Sequence, residues 1–397
     1  MDRSPPETGA QRWVPLGYLA LAHLALGAAC GVTLWDSSQI SGFFYHPKMI
    51  AVVHSLTLGW ISSTLTAVLY MAAPRLGFRA SKFDVWILVA WGAGASGLVS
   101  HFWIETYNGM VWSAGLLGVA VLLAAGRFTA ATTTCPLPAH VKLQINLAWL
   151  NLVVTAFIGL LLGFNRTTSV LPGYSLHNVF AHAHMAAIGW AFLLGVATGH
   201  LYVAATAVPR GVALLSLVGT GLTQVGAVGL FVTLLTGDGK AVAFGLTALA
   251  GMALCLGSLV WIFATRIAAS RHPAQLSFAA AMGWLVIAAW ILLRSDGPTT
   301  DPDAVMAYGV AALLGGLGQG VGGLGMLWSQ RTFPVLAGRW AGWPAVAGWL
   351  IAPPLLMIGL GETRPVWILC GVAVLFLAVA WTALRLVVCT RIQSAGG

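Results

Sequence analysis

The sequence predicts an all-α polytopic membrane bundle of twelve transmembrane helices. Three observations carry this: composition, hydropathy runs and the placement of basic residues. Residues AVILMFWYC make up 59% of the 397 residues and charged residues only 7%, with a mean hydropathy of +0.88. A soluble protein carries about 25% charged residues. This chain lacks the polar residues to cover a surface in water, so its outer solvent, and its first partner, is membrane lipid. The net charge of +9 comes without a basic run or stripe, which speaks against nucleic acid. The five cysteines, at 30, 135, 255, 370 and 389, form no CxxC or CxxCH, so no disulfide framework, thiolate zinc site or covalent haem is read.

A bilayer core about 30 Å thick takes about 20 apolar residues per helix. Runs of that kind lie near 13–35, 48–73, 84–105, 108–128, 141–165, 175–205, 211–236, 240–267, 275–293, 302–330, 340–361 and 365–390. Residues 1–12 are polar and no cleavage pattern follows, so the first run is expected to stay as span 1 behind a short cytoplasmic tail. Turn chemistry closes span 2 at Pro74-Arg75-Leu76-Gly77, splits spans 7 and 8 at Gly237-Asp238-Gly239-Lys240, and splits spans 9 and 10 at Asp296-Gly297-Pro298. The whole chain, 1–397, reads as a single transmembrane domain. An even span count puts both termini on one side. On that side fall 14 of the 19 Lys and Arg, against Lys48, Arg166, Lys240, Arg294 and Arg364 on the other. The positive-inside bias makes both termini cytoplasmic, and a wrong span count would scramble it. The expected location is the inner, cytoplasmic membrane of a bacterium.

Ionisable groups inside a membrane mark candidate sites. Asp, Glu, Lys and Arg are nearly absent from the span centres, which argues against an ion-coupled carrier or a voltage sensor. Histidine is the exception. His54 in span 2, His101 in span 3, and His182 and His184 in span 6 all fall roughly 6–14 Å below the outer boundary at 1.5 Å per residue. His46 and His177 sit just above that layer, and His23 is mid-span. Imidazole suits haem iron and copper. His54, His101, His182 and His184 are therefore the candidate metal ligands, with hydrogen bonds between helices as the plain alternative. His182 and His184 point to opposite sides of one helix, so one of the two is the expected ligand, with no choice between them. His177 shares a stripe with His184. Glu105, four residues after His101, shares its helix face and could orient a ligating imidazole. Gln144, Asn146, Asn151, Gln224 and Gln319 read as interhelical polar links. The glycines from Gly315 to Gly325 read as a close-packing face, or as a face for a flat cofactor.

Spans 2 and 6 share a pattern, His-x4-Gly-Trp at the outer end and Pro-Arg at the inner end: His54, Gly59, Trp60 and Pro74-Arg75 in one, His184, Gly189, Trp190 and Pro209-Arg210 in the other. At these residues the chain resembles the haem–copper oxidase subunit I superfamily, nearest to its cbb3-type and nitric-oxide-reductase branches. The resemblance at motif level covers about 48–79 and 175–210 and implies a cytochrome c oxidase subunit I-like fold. It implies His54 as an axial haem ligand and His184 or His182 as a further cofactor ligand, with haem b, copper or both as the cofactor. Ala181-His182-Ala183-His184-Met185 also echoes in part the signature of a membrane haem–copper protein of the nitric-oxide response. The departures are specific. Spans 7 and 10 contain no histidine, Ala186 and Ile188 stand where the family's helix 6 tyrosine is expected, and no acidic residue or lysine within the spans offers a proton path. The expectation is thus a divergent haem- or copper-binding protein in respiratory electron transfer or nitric-oxide handling, not a proton-pumping oxygen reductase. Any catalysis would be oxidoreduction, with quinol or a cytochrome c-like donor and other respiratory subunits as partners. The competing reading is a cofactor-free bundle that moves or senses a small neutral molecule or gas, or an assembly subunit of a respiratory complex.

Overall fold

A computed structural model describes residues 9–40, 44–168, 171, 175–203, 208–266, 272–294, 301–333 and 342–395. The expected turn at Asp296-Gly297-Pro298, and Arg3, Arg271 and Arg339 of the basic count, lie outside the described residues. Twelve helices long and apolar enough to cross a membrane are present: α1 Ala10–Trp35, α2 Pro47–Leu76, α3 Lys82–Trp103, α4 Met110–Thr134, α5 Ala139–Asn165, α6 Leu176–Val203, α7 Arg210–Thr236, α8 Ala241–Thr265, α9 Pro273–Arg294, α10 Pro302–Thr332, α11 Trp343–Gly361 and α12 Pro365–Val388. No strand occurs among the described residues. The chain is an all-α polytopic membrane protein. Each expected run is matched by one helix, with ends shifted by a few residues.

Local chemistry explains the ends. Pro47 occupies the first helical turn of α2 and the His46 side chain accepts from the Lys48 amide. Gly77 and Gly237 end α2 and α7 at φ of 72° and 70°, the left-handed region that favours glycine. Ser81 and Asp84 form a reciprocal capping box at the start of α3.

Helices α2, α6 and α10, each the second of four consecutive spans, pack against one another at the centre. Neighbours such as α3 with α4, α7 with α8 and α11 with α12 pair around them. Large apolar side chains such as Trp112, Leu122, Val286 and Leu377 face outward, as a lipid-solvated surface requires. The three central helices share a departure from α geometry. Each contains a π-helical stretch: Ser55–Ser62 in α2, Met185–Phe192 in α6 and Val310–Gly318 in α10. The first two start directly after His54 and His184, so the pattern read in the sequence is a structural repeat. The third follows Tyr308-Gly309 and carries neither His nor Trp. Stretches of this kind are rare and concentrate at functional sites.

Polar links tie the bundle as expected. Gln144 donates to Ser216 and Thr220, both at 2.9 Å. Asn151 and Gln224 exchange hydrogen bonds of 2.7 and 3.0 Å, Asn146 accepts from Thr132, and Gln319 donates to the Trp349 carbonyl. On the side of the termini, Arg75 of α2 donates to the carbonyls of Leu201 and Tyr202, and Arg331 of α10 also donates to Tyr202. The two arginines thereby tie the ends of the three central helices on the side of the termini. The glycine face of α10 takes bulky neighbours: Trp284 lies on Gly315, Leu285 on Gly316 and Trp349 on Gly318. Close packing is its role there, and these side chains occupy the place a flat cofactor would need.

Candidate functional site

His54 sits where α2 turns from α to π geometry. Its Nδ1 is 2.8 Å from the carbonyl of Ile50. A carbonyl only accepts, so Nδ1 carries the proton and Nε2 keeps the lone pair. The ring stacks on Phe102 of α3, centroids 5.2 Å apart and planes at 26°, which fixes its orientation. Four residues of helix and one aromatic neighbour thus fix the imidazole; His23 and His184 make the same bond from Nδ1 to the carbonyl one turn earlier.

The two histidines of α6 separate as their spacing demands. His184 Nδ1 donates to the carbonyl of Phe180 at 2.8 Å, and its Nε2 accepts from the Tyr308 hydroxyl of α10 at 3.1 Å. The rings are nearly parallel, with centroids 5.9 Å apart. His184 is therefore an interhelical link between two central helices. His182 faces the other way. Its ring lies against Gly159 of α5, where a Cβ would come within 3.0 Å, and near the Thr155 backbone one turn earlier. Its buried Nδ1 has no hydrogen-bond partner, and neither does Oγ1 of Thr155.

His54 and His182 line one cavity of about 710 Å³ and lie within electrostatic reach of each other. Most of the wall is apolar, including Leu26, Leu56, Phe102, Val310 and Leu356; Tyr107 and Thr155 add polar groups. Cofactor and ligand pockets typically run to about 300–1,000 Å³ and are mostly apolar with a few placed polar groups. The cavity has that character.

The other expected site residues are placed elsewhere. Neither His101, His177 nor His184 lines this cavity. His101 instead closes the turn after α3, its Nδ1 2.7 Å from the Thr106 carbonyl and its ring against Gly109. The expected pairing of Glu105 with His101 on one helix face is not formed: α3 stops at Trp103 and Glu105 takes φ 57°, outside the helix. His177 lies in the first turn of α6, partly buried. The four histidines thus split into a pair at the cavity, a link and a turn closure. All ten histidines are described, and no group of three or more His, Cys, Asp or Glu is gathered for a metal among the described residues.

Neither the known protein-family models nor the curated proteins match this chain.

The donor set decides which group would fit. A copper centre of three imidazoles has no such set among the described residues. Haem iron needs one or two axial donors and an apolar slot. An oriented His54, a His182 with an orphaned buried nitrogen, and an apolar cavity of this size meet that need. Sequence reasoning missed two residues here. Thr155 reads as one more small residue in an apolar span, and Tyr308 as an interfacial aromatic. In each case the partner lies on another helix, and no local pattern announces it.

Proposed function

We propose that this chain is an integral membrane haem protein of oxidase subunit I-like architecture in which His54 and His182 would hold the haem. It would work in respiratory electron transfer or nitric-oxide handling at a bacterial inner membrane, with both termini cytoplasmic. The observation that carries the reading is the convergence of these two imidazoles, from two central helices, on one apolar cavity. When bound, the haem supplies one-electron transfer or binding of a diatomic gas. The chain's own part is to orient His54 through Ile50 and Phe102, to exclude water with the apolar wall, and to hold His182 against the Thr155 backbone. Electrons would enter from a quinol or from a partner protein.

The test is the visible spectrum of protein purified in mild detergent, with haem measured per chain. The reading predicts a Soret band and about one haem per chain, regained when stripped protein is titrated with haem. A well-folded, colourless protein that leaves the spectrum of added haem unchanged overturns it. One observation favours a second reading. The orphaned Thr155 Oγ1 and His182 Nδ1 at the same wall could hold the polar head of a small neutral amphiphile, its apolar body filling the cavity without any metal. Such a protein would be colourless and would bind a quinone analogue competitively with apolar probes.

A further inference from the structure

A second, smaller cavity of about 80 Å³ lies deeper in the bundle. Its lining follows on from the first cavity along four helices. In α1 the lining residues pass from Leu19 and His23 to Leu26 and Thr33, in α2 from Thr64 and Trp60 to Leu56, in α10 from Gln330 and Gln319 to Leu317, and in α11 from Val346 and Trp349 to Leu356. The stacked pair Trp60 and Trp349, centroids 5.4 Å apart, stands where one cavity gives way to the other. At its other end the small cavity reaches Gln330, Gly342 and Arg385, at the ends of α10, α11 and α12 on the side of the termini.

This chamber concentrates unsatisfied polar atoms. His23 Nε2, Trp60 Nε1, Thr64 Oγ1 and Gln319 Oε1 are all buried without a hydrogen-bond partner, and all four residues line it. The side chains are 7%, 4%, 1% and 1% exposed. Their chemistry is fixed by what they already bond. His23 Nδ1 donates to the Leu19 carbonyl at 2.7 Å, so Nε2 is an acceptor. Gln319 donates one of its two amide N–H groups to the Trp349 carbonyl, and its unpartnered Oε1 is a second acceptor. The Trp60 indole N–H only donates, and the Thr64 hydroxyl does both. No carboxylate lines the chamber, so a cation finds no counter-charge; its one cationic side chain, Arg385, stands at the end toward the termini, and the two acceptors disfavour an anion beside the four unsatisfied atoms. The complementary occupant is neutral, small and both donor and acceptor.

We propose that His23, Trp60, Thr64 and Gln319 bind a cluster of a few water molecules, forming a hydrated half-channel from the side of the termini to the Trp60–Trp349 pair below the outer cavity. Liquid water takes about 30 Å³ per molecule and buried water settles where two to four polar partners meet. This chamber supplies both conditions. The inference does not depend on what fills the outer cavity.

The experiment is radiolytic hydroxyl labelling of the intact protein, in which bound water yields the radical in place. Trp60, 4% exposed, is compared with Trp91, which is also buried, at 0%, but satisfied by Ser63 at 3.2 Å. The proposal expects Trp60 to label several-fold faster than Trp91 in the native protein, and Thr64→Leu, which fills the chamber, to bring the two rates together. Equal rates in the native protein overturn it, and so does Thr64→Leu that folds and leaves the excess at Trp60 unchanged.

Discussion

Asp84 shows how one residue can serve two purposes. Its side chain has no exposed surface, yet it accepts from the Ser81 amide at 2.7 Å, the Tyr70 hydroxyl at 3.0 Å and Arg127 of α4 at 2.9 Å. It caps α3 and at the same time joins α2, α3 and α4 on the side of the termini. Asp84→Ala leaves Tyr70 and Arg127 without their acceptor. A hydrogen bond to a charged group contributes about 1.5–3 kcal/mol, and water recovers part of the Arg127 charge because that side chain is 32% exposed. The expected loss is about 2 kcal/mol, read as a lower midpoint of thermal unfolding in detergent; an unchanged midpoint contradicts the network. The capping half of Asp84 is local, within Ser81-x-x-Asp84. The other half is not, because Tyr70 and Arg127 come from other helices. The same limit applied to the histidines: spacing showed that His182 and His184 diverge, but only Tyr308 and Thr155, on other helices, decide which of them faces the cavity.

At the scale of elements, the twelve spans were legible because a lipid solvent forces every backbone group into helical hydrogen bonds and leaves hydropathy as a direct readout. The repeat of α2 and α6 was legible through its bulky members, His and Trp. What the sequence concealed was the π geometry and its third copy in α10, where glycine and leucine replace the marker residues. The glycine of the motif has a measurable role. A Cβ at Gly59 would collide with Ala25 of α1, and one at Gly189 would come within 2.8 Å of Asn151 of α5. By contrast Gly115, on α4, has nothing within 4 Å. Overpacking costs about 1–3 kcal/mol. Gly59→Leu and Gly189→Leu are expected to lower thermal stability by that amount, the second also breaking the Asn151–Gln224 exchange, while Gly115→Leu stays near wild type. Equal effects at all three positions would show that the motif glycines are not packing sites.

For the whole molecule, the central trio α2, α6 and α10 organises two cavities in series. The outer one is wide, mostly apolar and bordered by two imidazoles. The smaller one holds four unsatisfied polar atoms, on His23, Trp60, Thr64 and Gln319, and reaches Gln330, Gly342 and Arg385 on the side of the termini. The sequence placed the outer histidines at one depth, which is all that counting residues along a helix can do. Rotation about each helix axis then separated them, so His54 and His182 line the cavity while His184 bonds to Tyr308 and His101 to the Thr106 carbonyl. That separation is most directly tested by one set of spectra. Wild type, His54→Ala, His182→Ala and His184→Ala are each purified, reconstituted with haem and compared by visible absorption. The account predicts loss of the Soret band in His54→Ala, a shifted band in His182→Ala and a wild-type band in His184→Ala. A band that is lost in His184→Ala but intact in His182→Ala contradicts it.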